Sequence, residues 1–133
     1  MSLQPVPIQN VPGVPDYTCT AFLPKSSDYC LLIPVINEGS RILTELGRAQ
    51  KAGVDRLVDI VICDGGSTDG SMNPDTLELY GVNTLLVKTG PGKQGAQLRM
   101  GLHFALTFGY KGVLTLTATI RIPSRMFRNL LPS

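Results

Sequence analysis

Two apolar runs, each ending in a polar, glycine-bearing turn, constrain this chain more than any other feature. Cys30-Leu31-Leu32-Ile33-Pro34-Val35 gives way to Ile36-Asn37-Glu38-Gly39. Asp59-Ile60-Val61-Ile62-Cys63, entered from Val58, gives way to Asp64-Gly65-Gly66-Ser67-Thr68-Asp69-Gly70. Runs this short and continuously apolar suit strands buried on both faces, as in a parallel sheet. Between them, residues 39–52 place Ile42, Leu46 and Ala49 at helical spacing, and Gly53 stands where a helix ends. Further strands are predicted over 82–88 and 112–116, with a short helix over 74–79. A second amphipathic helix over 94–108 would present Leu98, Leu102 and Ala105. This alternation predicts an α/β fold, a three-layer sandwich around a mostly parallel sheet with right-handed crossovers. Ligands bind such sheets outside the carboxyl ends of the strands. The two turns are therefore expected to share one site, with Glu38 and Asp64 as its carboxylates.

Composition sets the outer limits. The chain has 133 residues, 43% of them hydrophobic and 17% charged, which suits one globular unit rather than a disordered tail. Residues 1–28 carry Pro5, Pro7, Pro12, Pro15 and Pro24, and are predicted to form an extended arm, packed on the domain or disordered. The domain proper is expected over 29–116, followed by an aberrant tail over 117–133. A net charge of +2 is too small to argue for nucleic acid. Charge is nevertheless segregated: all 10 acidic residues lie at or before Glu78, and only Lys and Arg follow. That pattern suits a wall for phosphates or an anionic surface; an abnormal tail explains it equally.

Cys19, Cys30 and Cys63 are an odd number without metal-ligand spacing. Cys30 and Cys63 sit in apolar runs, where cysteine acts as a small hydrophobe, and the reducing cytosol is the expected compartment. The amino terminus has no signal-peptide pattern, and no apolar run reaches the ~18 residues of a membrane helix. Gly90-Pro91-Gly92-Lys93-Gln94-Gly95 matches a dinucleotide fingerprint literally, but no acidic residue follows to bind a ribose. It is not a phosphate-binding P-loop either, because Gln94 stands where Ser or Thr is required. Counting from Asp64 places Gly66 and Asp75 at positions where a calcium loop needs an oxygen ligand and a glutamate. His103 has no acidic partner in sequence and reads as a packing or surface residue. Asp69 is expected to order its own turn.

Three motifs in this order, Ile33-Pro34-Val35-Ile36-Asn37-Glu38, Asp64-Gly65-Gly66-Ser67-Thr68-Asp69-Gly70 and Gly92-Lys93-Gln94-Gly95-Ala96, resemble the nucleotide-sugar-binding half of glycosyltransferase family 2. The resemblance, to enzymes such as polyprenyl and dolichol-phosphate sugar transferases, covers roughly 29–116. It implies a GT-A, Rossmann-like fold and a UDP- or GDP-sugar partner. Pro34, Asn37 and Glu38 would then shape the base and ribose pocket. Asp64, with Ser67 in its loop, would accept from a uracil or guanine N–H. Lys93 and Arg99 would meet the diphosphate near a helix N-terminus. Each residue also has an ordinary reading: Asn37 or Ser40 as a helix cap, Arg99 on a solvated helix face.

The resemblance breaks where the family holds Mg²⁺ or Mn²⁺. An Asp-x-Asp-like motif is expected after the fourth strand, and here Thr117-Ala118-Thr119 stands instead. Neutral hydroxyls do not replace carboxylates against a diphosphate. The family's general base lies in a later half that this sequence does not contain. The chain is therefore expected to be catalytically inactive and to bind no metal. It would be an incomplete transferase or, alternatively, a nucleotide-binding fragment, an inactive paralogue or an interaction module. An unpaired sheet edge would favour self-association. Residues from Thr117 onward also read as a frameshift product. ACG GCA ACA ATA AGG ATC CC encodes Thr117 to Pro123, and entered one base earlier, on a preceding G, it encodes Asp-Gly-Asn-Asn-Lys-Asp-Pro.

Overall fold

A computed structural model of the chain describes residues 4–92, 94–115 and 119–121. Four strands run in the order the apolar segments dictate: β3 (Tyr29–Val35), β4 (Asp59–Asp64), β5 (Val82–Lys88) and β6 (Gly112–Leu114). β4 pairs parallel with both β3 and β5, and β6 pairs parallel with the other side of β3. Every residue of β4 is buried, as its apolar Ile60-Val61-Ile62-Cys63 requires, and the aspartates at both ends are buried with them.

The expectation of a mostly parallel sheet needs correction: the sheet is mixed. Its order is β1-β2-β5-β4-β3-β6-β7, with β1 (Val6–Ile8), β2 (Tyr17–Ala21) and β7 (Thr119–Arg121) all antiparallel to their neighbours. The proline-rich arm supplies β1 and β2. Its alternating segment Tyr17-Thr18-Cys19-Thr20-Ala21 covers the outer edge of β5, which the arm's prolines obscured in the sequence. β7 likewise covers the outer edge of β6, where an unpaired edge was expected.

Helices lie on both faces. α1 (Arg41–Lys51) and α3 (Pro74–Leu79) cover one face, where Ile42, Leu46 and Leu77 pack against Ile33, Val35, Ile60, Ile62, Val82 and Leu85. The short α2 (Val54–Leu57), absent from the sequence reading, follows Gly53, whose φ of 79° suits the end of α1. α3 starts as its sequence directs: Pro74 opens it, and Asn73 Oδ1 accepts from the N–H groups of Asp75 and Thr76.

α4 (Gln94–Thr107) covers the opposite face. Its buried side is Ala96, Gln97, Met100, Phe104 and Ala105, whereas Leu98 and Leu102 are only partly buried. The expected stripe shared only Ala105 with this face. α4 is apolar around much of its circumference, so leucine positions alone do not fix its rotation. Gly101 settles the matter. A Cβ there would lie 2.8 Å from Cys63 Sγ and 2.9 Å from Leu32 Cδ1, so glycine permits α4 to sit close on the strands.

The arm is tied to this layer. Tyr17 Oη lies 2.7 Å from His103 Nδ1, and Arg99 Nε donates to Gly13 O at 2.9 Å. Burial pushes the Tyr17 hydroxyl pKa up and the His103 imidazole pKa down. All three cysteines are free and buried; burial pushes the Cys19 thiol up to about 11 and Cys30 up to about 12. No helix among the described residues is long and apolar enough to cross a membrane.

Candidate functional site

The chain steps from β3 to β4 to β5 in one direction, then crosses by α4 to β6 on the far side of β3. That reversal opens a crevice at the carboxyl ends of the strands. A cavity of about 390 Å³ lies at this edge, and Pro34, Glu38, Gly65, Lys88, Gly92 and Gln97 are among the residues lining it. Four separate segments meet here: the ends of β3, β4 and β5, and the first turn of α4.

The loops after β3 and β4 are joined by side chains that satisfy each other's backbone. Ser67 Oγ donates to Asp64 Oδ1 at 2.6 Å and accepts from Asn37 N–H at 2.9 Å. Asn37 Oδ1 accepts from Thr68 N–H at 2.8 Å, and Asp69 Oδ2 accepts from Gly39 N–H at 3.0 Å. Asn37 reaches this geometry with φ at 47°, a left-handed conformation that asparagine tolerates better than most residues. Gly65 N–H donates to Val35 O at 2.8 Å. The Asn-Glu-Gly and Asp-Gly-Gly-Ser-Thr-Asp motifs thus form one interlocked rim. Asp69 orders its turn as the sequence suggested: its Oδ1 accepts from both Ser71 Oγ and Ser71 N–H. These bonds hold its carboxyl below the usual range.

The expected site residues fall into three groups. Pro34 and Glu38 line the cavity. Glu38 is also 3.6 Å from Arg41, an exposed pair of small energetic value. Asn37, Asp64 and Ser67 build the rim from behind. The Asp64 side chain is buried, and both its oxygens accept from Ser67 N–H at 3.1 Å. Arg99 stands apart on an exposed part of α4, bound to the arm at Gly13. Lys93 and Thr117 lie outside the described residues, and Thr119 begins β7. Neither Asn37 nor Ser40 caps α1 with its side chain, because Asn37 is spent on Thr68.

Two lining residues were missed. Lys88, at the end of β5, donates from Nζ to Gly90 O at 2.8 Å and brings a cation to the cavity. Gln97 is 4% exposed and donates from Nε2 to Val35 O at 2.9 Å and to Cys63 O at 3.0 Å. It fastens α4 to the ends of both neighbouring strands. A polar residue on a helix reads as solvent-facing; its place two residues after Gly92-Lys93-Gln94-Gly95, on the Ala96 and Met100 side, was the available signal.

The cavity can accept an anion at one end and hydroxyl donors at the other. Lys88, Gly92 and the start of α4 offer positive potential, and no acidic residue lies in the helix's first turn. Glu38 supplies an acceptor. Among the described residues, no group of three or more His, Cys, Asp and Glu side chains is placed to hold a metal ion. The chain was compared with protein-family models, curated proteins and solved structures, and nothing matches it.

Proposed function

We propose that this chain is the nucleotide-sugar-binding portion of a transferase resembling glycosyltransferase family 2, a three-layer unit of the GT-A type. By itself it binds the donor nucleotide and transfers no sugar. The observation that carries this reading is the cavity at the carboxyl edge, where both resembling motifs meet the start of α4. In this reading Lys88 and the α4 N-terminus meet the diphosphate, with Lys93 as a further cation, while Arg99 holds the arm. Glu38 takes a ribose hydroxyl. Pro34 and Gly65 border the base, while Asn37, Asp64 and Ser67 hold the rim in shape. Unpaired thiols suit the cytosol as its compartment.

A divalent cation is left out of the proposal. Glu38 already faces Arg41, and Asp64 is taken up by Ser67, so the carboxylates near the cavity do not converge as a hard cation requires. Calorimetry of the purified chain with UDP and GDP, with and without Mn²⁺, tests the reading. Saturable binding unaffected by the metal is expected; no heat with either nucleotide would contradict it. Asp64→Ala is expected to weaken that binding by about 1–3 kcal/mol, through loss of the charge-assisted bonds that shape the rim.

The tail gives a separate test. In the gene, the frame one base before codon 117 is expected to encode an Asp-Gly-Asn-like triplet and run on as a long open frame. A stop within a few codons, or no acidic triplet, would end the frameshift account.

A further inference from the structure

We infer that Gln97 is the base-specificity residue of the cavity: its amide oxygen accepts the ring N–H of a uracil or guanine base. The inference rests on the nucleotide reading above and adds to it a residue that no motif singled out.

The argument starts from the amide itself. Backbone carbonyls only accept, so the atom 2.9 Å from Val35 O and 3.0 Å from Cys63 O has to be the amide nitrogen. Both Nε2 hydrogens are then used, and the orientation of the group is fixed. Oε1 has no donor among the described residues, although the residue is 96% buried by the 4% exposure that remains. It is not sealed in either, since the single buried side-chain atom without a partner among the described residues is Asp55 Oδ1. Gln97 lines the cavity, so its free oxygen opens there. A buried, rigid acceptor without a donor is costly unless a ligand supplies one.

Gly65 leaves the approach open. A Cβ at that position would lie 3.2 Å from Oε1 and 3.0 Å from Cδ of the same amide. Three oxygens beside it are engaged. Val35 O accepts from Gly65 N–H as well as from Gln97, Cys63 O accepts from Gln97, and Asp64 accepts from Ser67. Gln97 Oε1 is therefore open to a base edge, beside the charged acceptor Glu38 that is assigned to the ribose. It is neutral, so it selects by hydrogen-bond pattern rather than by charge. Uracil and guanine carry a ring N–H beside a carbonyl; cytosine and adenine carry a bare ring nitrogen at the matching position, which would face Oε1 lone pair to lone pair.

The test is a calorimetric panel on the full chain with UDP, CDP, GDP and ADP, repeated on Gln97→Leu. In the unaltered chain, UDP is expected to bind about tenfold more tightly than CDP, or GDP than ADP. In Gln97→Leu that ratio is expected to collapse toward one, whatever the loss in overall affinity. A purely structural Gln97 would change affinity for all four nucleotides and leave the ratio alone, which would overturn the inference. Equal binding of all four to the unaltered chain would overturn it too, while leaving the nucleotide reading intact. Binding of none would remove both. Should Gln97→Leu fail to fold, the Gln97 side-chain amide of the ¹⁵N-labelled unaltered chain decides: it is expected to shift with UDP and not with UDP methylated at the ring nitrogen, and equal shifts with both would overturn the inference.

Discussion

Replacing Asp59 with alanine is expected to cost about 2–3 kcal/mol of folding stability, from one buried and two half-buried hydrogen bonds losing their shared acceptor. Asp59 opens β4 at the edge opposite the cavity, with its side chain buried. Its carboxylate accepts from Tyr110 Oη at 2.7 Å, Ser26 Oγ at 2.6 Å and Ser26 N–H at 3.0 Å. The cluster joins the arm, the sheet and the segment leading into β6. Burial, followed by the neighbouring carboxylate, raises the Tyr110 hydroxyl pKa, so it stays protonated and donates. Alanine strands the buried tyrosine hydroxyl, whereas the donors of the exposed Ser26 turn to water. Asp59→Asn keeps one oxygen and should lose roughly half as much. Urea denaturation of the three proteins checks this; a loss below about 1 kcal/mol in Asp59→Ala would show the network to be dispensable.

Gly101→Val is expected to destabilise by about 2–3 kcal/mol, and to damage the cavity even where the protein folds. The first carbon of the new side chain would meet Cys63 Sγ at 2.8 Å and Leu32 Cδ1 at 2.9 Å, and both residues are fully buried. Helix propensity favours valine slightly over glycine, which offsets little of that overlap. Relief requires α4 to lift from the sheet. Gln97 lies one turn before Gly101 on the same side, and its bonds to Val35 O and Cys63 O tolerate no such lift. Denaturation and nucleotide titration of the variant should therefore fail together. Unchanged stability with unchanged affinity would mean that the close approach of α4 is not needed.

These two residues also mark how far the sequence could be read. The central strands were legible because β3, β4 and β5 are apolar runs bounded by glycine and polar turns, and β5 and α3 match their expected limits. The placement of both motif loops at one sheet edge followed from parallel topology. The arm strand β2 was hidden by flanking prolines, since its pairing with β5 is a long-range contact that no local pattern announces. The face of α4 was misjudged because leucines were taken as the buried stripe, when the small residues Ala96 and Gly101 set the close packing. Asp59 was read only as part of a strand segment. Gln97 was not singled out at all. Both are buried polar groups whose worth depends on partners far away in sequence, and hydropathy patterns cannot register such partners.

The same dependence explains the shift in Asp64. Sequence reasoning placed it at the mouth of the cleft because it ends a strand. The residue three positions later returns to occupy its carboxylate, and this bond locks the rim. A carboxylate has lone pairs to spare, so Asp64→Ala separates a shaping role from a contact by its effect on base selectivity. Loss of affinity without loss of the UDP-to-CDP or GDP-to-ADP ratio is the expected pattern.

The central claim is that a nucleotide diphosphate occupies the cavity at the carboxyl edge of β3 and β4. Titration of the ¹⁵N-labelled chain with UDP and GDP, followed by amide chemical shifts, tests it most directly. Saturable shifts at Val35, Glu38, Gly65, Gly92 and the Gln97 side-chain amide, with Tyr110 and the opposite sheet edge unmoved, are the expected result. Shifts confined to other surfaces, or none at millimolar nucleotide, would contradict it.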